Sequence, residues 1–273
     1  MSFVKTVHIC VGAQRSATTW IYRTLAELPE ERIPKEKEID FFRRLGKYEL
    51  GIEWYKRVFD DATICLDITP EYAVDDESLE LIYENLGDKA KILFVIREPV
   101  GRLVSAYHKH IRNGDLQCDF DFFVKYNIDN CVTRSLYFPT IKRIEKYYKP
   151  TVLVYEDLKN SPALWLRGVN DFFGVKISEK KSKSKFNPST GIGGFRGILN
   201  RIYRLFPEWV GLRKIKESIE KTEFGNRLLY GESKREEDLD SIVRSNPEIM
   251  RMFEKDRLEL SEYLGRDLSK DWV

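Results

Sequence analysis

A short segment between an apolar run and a helical pattern contains residue types that bind anions. After the run that ends at Gly12, residues 13–20 read Ala-Gln-Arg-Ser-Ala-Thr-Thr-Trp. Backbone N–H groups at the start of a helix lack partners within the helix and lie at the positive end of its dipole, so they bind phosphates, and hydroxyl side chains add donors. The segment therefore predicts a phosphate site. An ordinary strand-to-helix turn capped by Ser16 or Thr18 is the alternative.

The same segment differs from the loop of nucleotide triphosphatases at one important position. When the pattern G-x-x-x-x-G-K-[ST] is aligned from Gly12, Ala17 stands at the second glycine and Thr18 stands at the lysine. Without that lysine the loop lacks the cation that kinases place on the β- and γ-phosphates, although Arg15 offers a cation earlier in the loop. A P-loop nucleotide kinase stays open as an alternative, and it would require magnesium-dependent turnover of ATP.

A second cationic position follows the third predicted strand. Arg97 comes directly after the apolar run Lys91–Ile96, and Pro99 begins a helical pattern two residues later. Ligands of open α/β sheets collect at the carboxyl ends of the strands, and a planar guanidinium suits a terminal phosphate. Ser105 lies about 150° around this helix from its apolar stripe, so we expect its side chain outside the core. A solvated serine beside an ion-paired Arg97 and Glu98 is the alternative.

Alternating strand and helix patterns must position these residues. Short runs rich in β-branched residues alternate with longer runs of helical periodicity, which indicates βαβ units and a mainly parallel sheet. The predicted strands are Val4–Val11, Thr63–Ile68, Lys91–Ile96 and Thr151–Tyr155. Helices are predicted after the first and third strands and at Ser78–Leu86, Ile141–Tyr148, Pro162–Phe173 and Pro247–Leu264. The predicted fold class is α/β, a P-loop-type three-layer fold with a central sheet flanked by helices and a helical C-terminal extension.

The length of 273 residues is sufficient for one large α/β domain with a buried core. We expect a single domain with a cofactor-binding α/β core at 1–175, a basic mobile loop at 176–197 and a helical C-terminal part at 198–273. The stretch from Lys176 to Lys216 contains eleven basic and two acidic residues. A solvated face and an anionic ligand both explain this local charge.

Composition excludes several classes of protein. The 46 basic and 44 acidic residues give a formal charge of +2, too small for a general attraction to nucleic acid or membranes. No window approaches the roughly 18–20 apolar residues of a membrane span, and the N-terminus lacks a signal-peptide pattern. The four cysteines lack zinc spacing and predict reduced thiols in a cytoplasmic protein, with Cys118 and Cys131 the pair to check for a disulfide.

Residues 14–20 resemble the 5′-phosphosulfate loop of sulfotransferases that use 3′-phosphoadenosine 5′-phosphosulfate (PAPS). Family members have P-K-S-G-T-T-W or R-S-G-T-T after the first strand, and this chain departs from the pattern at Gln14 and Ala17. The resemblance implies PAPS as the cofactor, with no metal ion required. The residues expected around its 5′ side are Gln14, Arg15, Ser16, Ala17, Thr18, Thr19 and Trp20.

Three later segments are similar to the family's contacts with the rest of the cofactor. The family's 3′-phosphate segment has an apolar strand, then R-[DE]-P, then a serine eight residues after the arginine, which here are Arg97 and Ser105. Tyr155 resembles the tyrosine of the Y-E-D segment near the adenine, and Trp20 is either an adenine-stacking ring or a core residue. The candidates for the late loop over the 3′-phosphate are Phe195, Arg196 and Gly197.

Residues 37–42 resemble part of the K-E-x-H-F-F segment of glycosaminoglycan sulfotransferases of the heparan sulfate type, in which the glutamate is the general base. Glu38 stands at that glutamate, and Asp40 replaces the histidine. Similar segments follow at 51–55 (G-x-x-W-Y), at 67–72 (E-K-T-P-x-Y, with Ile68 at the lysine) and at 134–137 (R-S-x-Y). The resemblance covers residues 4–175, and the ending at 264–268 is like that of bacterial sulfotransferases.

The resemblance implies a role for each charged residue near the acceptor. A base must lie within about 3 Å of the proton that it takes, and positive groups must neutralise charge on the leaving oxygen. We therefore assign Glu38 as the base and Arg15 as the stabiliser of the leaving group, with Lys37 and Ser105 as assistants. A solvated charged loop is the alternative for Glu38.

The predicted activity is the transfer of a sulfuryl group from PAPS to a hydroxyl or amine of a carbohydrate-like or small-molecule acceptor. That acceptor is the expected partner, and nucleic acid is not expected because no zinc, helix-turn-helix or RNP-type pattern is present. Besides the nucleotide kinase, a non-catalytic module that binds nucleotides or polyanions stays open. Binding of the cofactor with no transfer to any acceptor would favour such a module.

Overall fold

The computed structural model describes residues 5–113, 115, 118–178 and 236–272. Most of the predicted basic loop, the predicted late loop at 195–197 and the first part of the predicted C-terminal region lie outside these residues. The described chain divides into two compact units. The first contains residues 5–98, 136–178 and 254–272, and the second contains residues 99–135 and 236–253. The expectation of a single domain stays a prediction.

Four parallel strands form the sheet of the first unit. They are β1 (Val7–Gly12), β2 (Cys65–Ile68), β3 (Ala90–Ile96) and β4 (Thr151–Val154), in the order β2-β1-β3-β4. Val7 pairs with Ala90 at one end of the β1–β3 ladder, and Cys10 pairs with Leu93 further along. The central strands are nearly continuous apolar runs, as parallel strands covered on both faces must be. The predicted parallel sheet is confirmed.

Helices connect and follow these strands. The helices of the described residues are α1 (Thr18–Ala26), α2 (Ile52–Arg57), α3 (Asp76–Leu86), α4 (Pro99–Asn113), α5 (Phe120–Lys125), α6 (Tyr137–Ile144), α7 (Asp157–Asn160), α8 (Pro162–Phe173), α9 (Glu236–Arg244) and α10 (Pro247–Leu264). The predicted bounds of α8 and α10 are confirmed, as is the start of α4 at Pro99.

The position of α6 differs from its prediction at Ile141–Tyr148. The helix starts four residues earlier because the carboxylate of Asp256 accepts hydrogen bonds from the N–H groups of Tyr137 and Phe138, each at 2.9 Å. This cap comes from α10, more than a hundred residues away in sequence. Local periodicity could not have predicted it.

Alternate side chains of β1 enter two different cores, one on each face of the sheet. Ile9 and Val11 pack in a core that also receives side chains from α3 and α6. Cys10 packs in a second core with side chains from α1 and α8. Helices therefore cover both faces, and the three-layer arrangement is confirmed.

The end of β1 requires a residue without a side chain. A Cβ atom added to Gly12 would lie 2.9 Å from Cε2 of Phe94 on the neighbouring strand, closer than packed carbon atoms approach. The register of β1 against β3 also shifts between Cys10 and Gly12. Gly12 thus lets the chain leave the sheet against Phe94 and enter the loop before α1.

The second unit is built on α4, whose first half is buried nearly all round. Arg102 is 1% exposed and donates hydrogen bonds to the carbonyl oxygen of Cys131 at 2.9 Å and to Ser135 Oγ at 3.3 Å. Ser105 is 4% exposed, so the expectation that its side chain lies outside the core is wrong. The apolar stripe is not the only covered face of this helix, because polar side chains such as Arg102 are buried too.

Two general features of the described residues bear on the sequence predictions. All four cysteines are free thiols, as predicted, and Cys118 and Cys131 form no disulfide. None of the helices in the described parts of the chain has both the length and the apolar character that a membrane span requires.

Candidate functional site

The loop between β1 and α1, residues 13–17, leaves the start of a helix without a side-chain cap. Ala17 is the N-cap residue of α1, and it makes no side-chain hydrogen bond to the first turn. The alternative of an ordinary turn capped by Ser16 or Thr18 is therefore wrong. Arg15 and Ala17 have φ angles of 74° and 62°, in the left-handed region that costs a residue with a Cβ atom about 1–2 kcal/mol. This backbone shape turns the loop around the helix N-terminus.

The hydroxyl of Ser16 is a buried polar group of this loop without a hydrogen-bond partner among the described residues. Ser16 is fully buried, and its Oγ has no hydrogen-bond partner among the described residues. An unsatisfied buried hydroxyl costs about 1–3 kcal/mol, and such a group needs an explanation. Thr18 is 5% exposed and Thr19 is exposed at the same helix end. An anion at the N-terminus of α1 would accept from the Ser16 hydroxyl and from the first-turn amides.

Arg97 connects this loop to the end of β4. Its Nη1 donates to the carbonyl oxygen of Arg15 at 3.0 Å, and its guanidinium lies 4.6 Å from the centre of the Tyr155 ring. The loop itself is joined to β3 by the bond from Ala13 N–H to the carbonyl oxygen of Val95 at 2.8 Å. The structure thus brings the predicted Arg15, Arg97 and Tyr155 together at the carboxyl ends of the strands.

Lys37 and Glu38 form an ion pair beside α1. The distance from Lys37 Nζ to Glu38 Oε1 is 2.6 Å, and the two side chains are 20% and 58% exposed. The preceding loop is held to α1 by the hydroxyl of Tyr22, which donates to the carbonyl oxygens of Pro34 at 2.9 Å and Lys35 at 2.7 Å. Glu38 is therefore accessible to an acceptor, while Lys37 is largely covered.

Burial raises the pKa of the Cys10 thiol on β1 to about 12, so this thiol stays protonated and packs in the core.

Asp67 is a buried carboxylate that sequence reasoning missed, and it holds the hydroxyl groups of three other residues. Asp67 is fully buried and accepts hydrogen bonds from the hydroxyls of Thr69 (2.7 Å), Tyr72 (2.9 Å) and Tyr55 (3.1 Å). Burial raises its pKa to about 6, although these hydroxyls oppose the shift. An acidic residue within the apolar strand β2 was the signal that could have found it. The carboxylate of Asp40, at the family's histidine position, instead accepts from Arg43 at 3.1 Å.

Ile68 occupies the position where the resemblance has a lysine. It is fully buried and packs in the core that also contains Trp20 and Trp165. Its side chain brings no charge to the site. The departure from the family pattern is therefore a real loss of one cation at this position of β2.

Trp20 lies in the same core. It is 8% exposed and its ring packs edge-on against Trp165, with 5.8 Å between the ring centres. Of the two roles considered for it, the structure shows the core role. Stacking on an adenine stays a prediction.

The segment after Tyr155 is held by the C-terminal end of the described chain. Both carboxylate oxygens of Asp157 accept from Arg266 at 2.6 Å, and Arg266 also donates to Asp271 at 2.7 Å. Glu156 accepts from the N–H of Glu98 at 2.9 Å and from Nε1 of Trp272 at 3.0 Å. In the Y-E-D segment, the tyrosine ring thus contacts Arg97. The two carboxylates hold the segment to other parts of the chain through hydrogen bonds.

No cluster of three or more metal-binding side chains occurs in the parts of the chain that the structure describes.

Ser105 lies in the second unit, and its predicted cofactor contact stays a prediction. The predicted residues Phe195, Arg196 and Gly197 lie outside the described residues.

A parallel sheet covered by helices on both faces, with an uncapped helix start after its first strand, defines a P-loop-type α/β protein. Comparison with known proteins narrows this class. The family model described as Sulfotransferase domain matches residues 5–188, more than half of the chain. The chain belongs to the sulfotransferase domain family, as the sequence predicts.

Two curated relatives match shorter segments. The membrane-associated sulfotransferase kil1 of Dictyostelium discoideum is 30% identical over 110 residues, which are 38% of this chain and 23% of that protein. Heparan sulfate glucosamine 3-O-sulfotransferase 5 of Mus musculus is 29% identical over 102 residues, which are 36% of this chain and 29% of that protein. The matched segments span less than a third of each relative.

A solved structure shows the same fold. The sulfotransferase from Alicyclobacillus acidocaldarius superposes with a TM-score of 0.55 at 19% sequence identity. The superposition covers 82% of this chain and 100% of that chain. The α/β fold predicted from the sequence is confirmed.

Proposed function

We propose that the protein transfers a sulfuryl group from PAPS to a hydroxyl or amine of a carbohydrate-like or small-molecule acceptor. The observation that carries this proposal is the N-terminal loop. It presents the uncapped start of α1, the unpartnered buried hydroxyl of Ser16 and the arginines Arg15 and Arg97 at one end of the sheet. Family membership makes a sulfuryl donor, rather than ATP, the ligand that these groups would hold.

The residues present fit a donor with phosphates at both its 5′ and 3′ positions. Ser16, Thr18 and Thr19 would hold the 5′ side together with the first amides of α1. Arg97 would hold the 3′-phosphate, and Tyr155 and Trp20 would contact the base. The assignment of Ser105 to the 3′-phosphate rests on the sequence resemblance. The late loop with Arg196 is proposed to complete the 3′ side. When bound, PAPS supplies a sulfuryl group attached to a phosphate that can leave.

Different residues of the chain have different roles in the transfer. Glu38 takes the proton from the acceptor as its oxygen or nitrogen bonds to sulfur, which requires contact within about 3 Å. Arg15 and the amides of the loop stabilise the negative charge that develops on the oxygen of the leaving phosphate. Lys37 pairs with Glu38 at 2.6 Å and assists the transfer beside the base.

A carbohydrate-like acceptor is supported by the relatives and by the exposure of the base. One curated relative is named for the 3-O-sulfation of heparan sulfate glucosamine. Glu38 is 58% exposed, which leaves room for a bulky acceptor beside it. The loss of the lysine at Ile68 means that contacts with the acceptor or leaving group differ from those of the heparan sulfate type. Action in the cytoplasm is part of the proposal.

Calorimetric titration tests the cofactor. We expect the purified protein to bind 3′-phosphoadenosine 5′-phosphate, the product of the transfer, and not to bind ATP with magnesium at similar concentrations. Binding of ATP alone would mean that Thr18 does not exclude nucleotide triphosphates, and the kinase alternative would replace our proposal.

Substitution of the base tests the chemistry. Glu38→Gln removes the proton acceptor with little change in shape, so we expect sulfuryl transfer to slow by roughly 10²-fold or more while the affinity for the bisphosphate stays the same. Glu36→Gln is the matched control, because Glu36 is similarly exposed at 54% and pairs with Lys47 at 2.5 Å. An unchanged rate in Glu38→Gln would assign the base role to another residue.

A further inference from the structure

Three consecutive backbone N–H groups follow the proposed base, and side-chain hydroxyls accept from all of them. The N–H of Asp40 donates to Thr69 Oγ1 at 3.1 Å. The N–H groups of Phe41 and Phe42 donate to the hydroxyl oxygen of Tyr72 at 2.8 Å and 3.3 Å. Residues 38–42, here called the base segment, contain no helix or strand hydrogen bonds of their own. The carbonyl oxygens of Asp40 and Phe41 also accept from the N–H groups of Lys47 and Arg43, each at 2.9 Å. The two hydroxyls hold the N–H side of this backbone, which begins two residues after Glu38.

Both hydroxyls are oriented by a single carboxylate. A hydroxyl has one proton to donate and lone pairs with which to accept. Thr69 donates that proton to Asp67 Oδ1 at 2.7 Å, and Tyr72 donates its proton to Asp67 Oδ2 at 2.9 Å. The lone pairs of both hydroxyls consequently face the base segment. Each oxygen of Asp67 thus controls one of the two acceptors.

Burial leaves these hydroxyls and the Asp67 carboxylate without water as an alternative hydrogen-bond partner. Asp67 and Tyr72 are fully buried, and Thr69 is 1% exposed. Water cannot replace a lost partner there without opening the core, and hydrogen bonds to charged groups in such surroundings are stronger than neutral ones. The rings of Phe41 and Tyr55 also stack with their centres 4.7 Å apart. The base segment is therefore bonded through its backbone and packed through its side chains.

We propose that Asp67 is a positioning residue for the base: through Thr69 and Tyr72 it sets the backbone of residues 40–42 and so the place of Glu38. The inference rests on the proposed function, in which Glu38 takes the acceptor's proton. Asp67 is fully buried, so it acts on the base through these hydroxyls and not by direct contact with an acceptor. Loss of its two acceptor oxygens changes where the base stands, and a displacement of about 1 Å in such a group can cost 10²-fold in rate.

The first test compares two isosteric substitutions of buried carboxylates. Asp67→Asn turns one acceptor into a donor, so one of the two hydroxyls must reverse its direction. We expect kcat to fall by about tenfold or more, with the dissociation constant of 3′-phosphoadenosine 5′-phosphate within about twofold of wild type. Asp256→Asn is the control, because Asp256 is also buried, at 4% exposure, and accepts from two backbone N–H groups at the start of α6. An equal fall of kcat in both variants would overturn the proposal.

A second pair of variants keeps the test open if Asp67→Asn does not fold. Thr69→Val removes the hydroxyl that accepts from Asp40, whereas Thr69→Ser keeps it. We expect Thr69→Val to lower kcat by about tenfold and Thr69→Ser to retain most of the wild-type rate. A role in packing alone predicts the opposite order, because valine preserves the volume of threonine better than serine does. That order would overturn the proposal.

Hydrogen exchange separates this inference from the proposed function. In Asp67→Asn and Thr69→Val we expect the amides of residues 40–42 to exchange at least tenfold faster, while those of β3 keep their protection. This readout does not depend on sulfuryl transfer. Faster exchange without any detectable transfer in the wild type would leave the positioning role in place and refute the function. Unchanged exchange would overturn the role of Asp67.

Discussion

Removal of Arg266 tests whether the C-terminal segment holds the Y-E-D segment in place. In the structure the Asp157 carboxylate is 6% exposed, and both of its oxygens bond to Arg266 at 2.6 Å. Arg266→Ala leaves this buried charge without its guanidinium partner. Breaking a buried pair in this way costs about 3–5 kcal/mol, and the 29% exposure of the arginine places the expected loss near the lower limit.

The assay is unfolding by urea and by heat, followed by circular dichroism. A loss of about 3 kcal/mol corresponds to a fall in Tm of roughly 6–12 °C for a domain of this size. Arg266→Lys keeps the positive charge but cannot bond to both oxygens in the same plane, so we expect an intermediate loss. Arg257→Ala is the matched control, since Arg257 bonds both oxygens of Glu254, which is 55% exposed. Exposed pairs contribute about 0–1 kcal/mol.

A double-mutant cycle identifies the partner. If Asp157 is the group left unsatisfied, Asp157→Asn combined with Arg266→Ala should cost clearly less than the sum of the single losses, by about 1–3 kcal/mol. A loss below about 1 kcal/mol in Arg266→Ala, or strict additivity with Asp157→Asn, would refute the reasoning. Asp157 lies two residues after Tyr155, so we also expect weaker binding of 3′-phosphoadenosine 5′-phosphate in Arg266→Ala.

Three other predictions concern the loop, the cofactor and the effect of pH. Ala17→Gly relieves a left-handed φ of 62° and should raise the free energy of unfolding by up to about 1 kcal/mol. Gly174→Ala, at φ 71° with open space around it, should lower the free energy of unfolding by a similar amount. Changes of the same sign in the two variants would contradict this reasoning. Arg97→Ala should weaken binding of 3′-phosphoadenosine 5′-phosphate much more than that of adenosine 5′-phosphate in calorimetry, and equal losses would remove Arg97 from the 3′-phosphate site. Burial raises the pKa of Asp256 to about 6, so the folded protein binds a proton there between about pH 4 and 6 that the unfolded chain does not bind. Stability from this group is present below that window and lost as pH rises through it, and the advantage of wild type over Asp256→Asn in urea unfolding should be larger at pH 4.5 than at pH 7 by roughly 1–3 kcal/mol. A constant difference would show that the pKa of Asp256 is not raised.

Local signals in the sequence determined the order of strands and helices and much of the site. Pro99 marks the start of α4, and Pro162–Phe173 has the periodicity and the bounding residues of a complete helix. Arg97 and Tyr155 follow directly after β3 and β4, and Arg15 lies three residues after the end of β1. Because the carboxyl ends of parallel strands share one edge of the sheet, these residues had to meet once the strand order was set.

Tertiary structure decided the features whose partners are distant in sequence. The start of α6 depends on Asp256, and the Y-E-D segment depends on Arg266, each more than a hundred residues away. The setting of the base segment depends on Asp67, because its partners Thr69 and Tyr72 accept from the N–H groups of residues about 30 positions earlier in sequence. Periodicity reports which face of an element is buried and not which polar groups meet inside the core. These contacts form because packing removes water, so that each buried donor and acceptor must form its hydrogen bond within the protein.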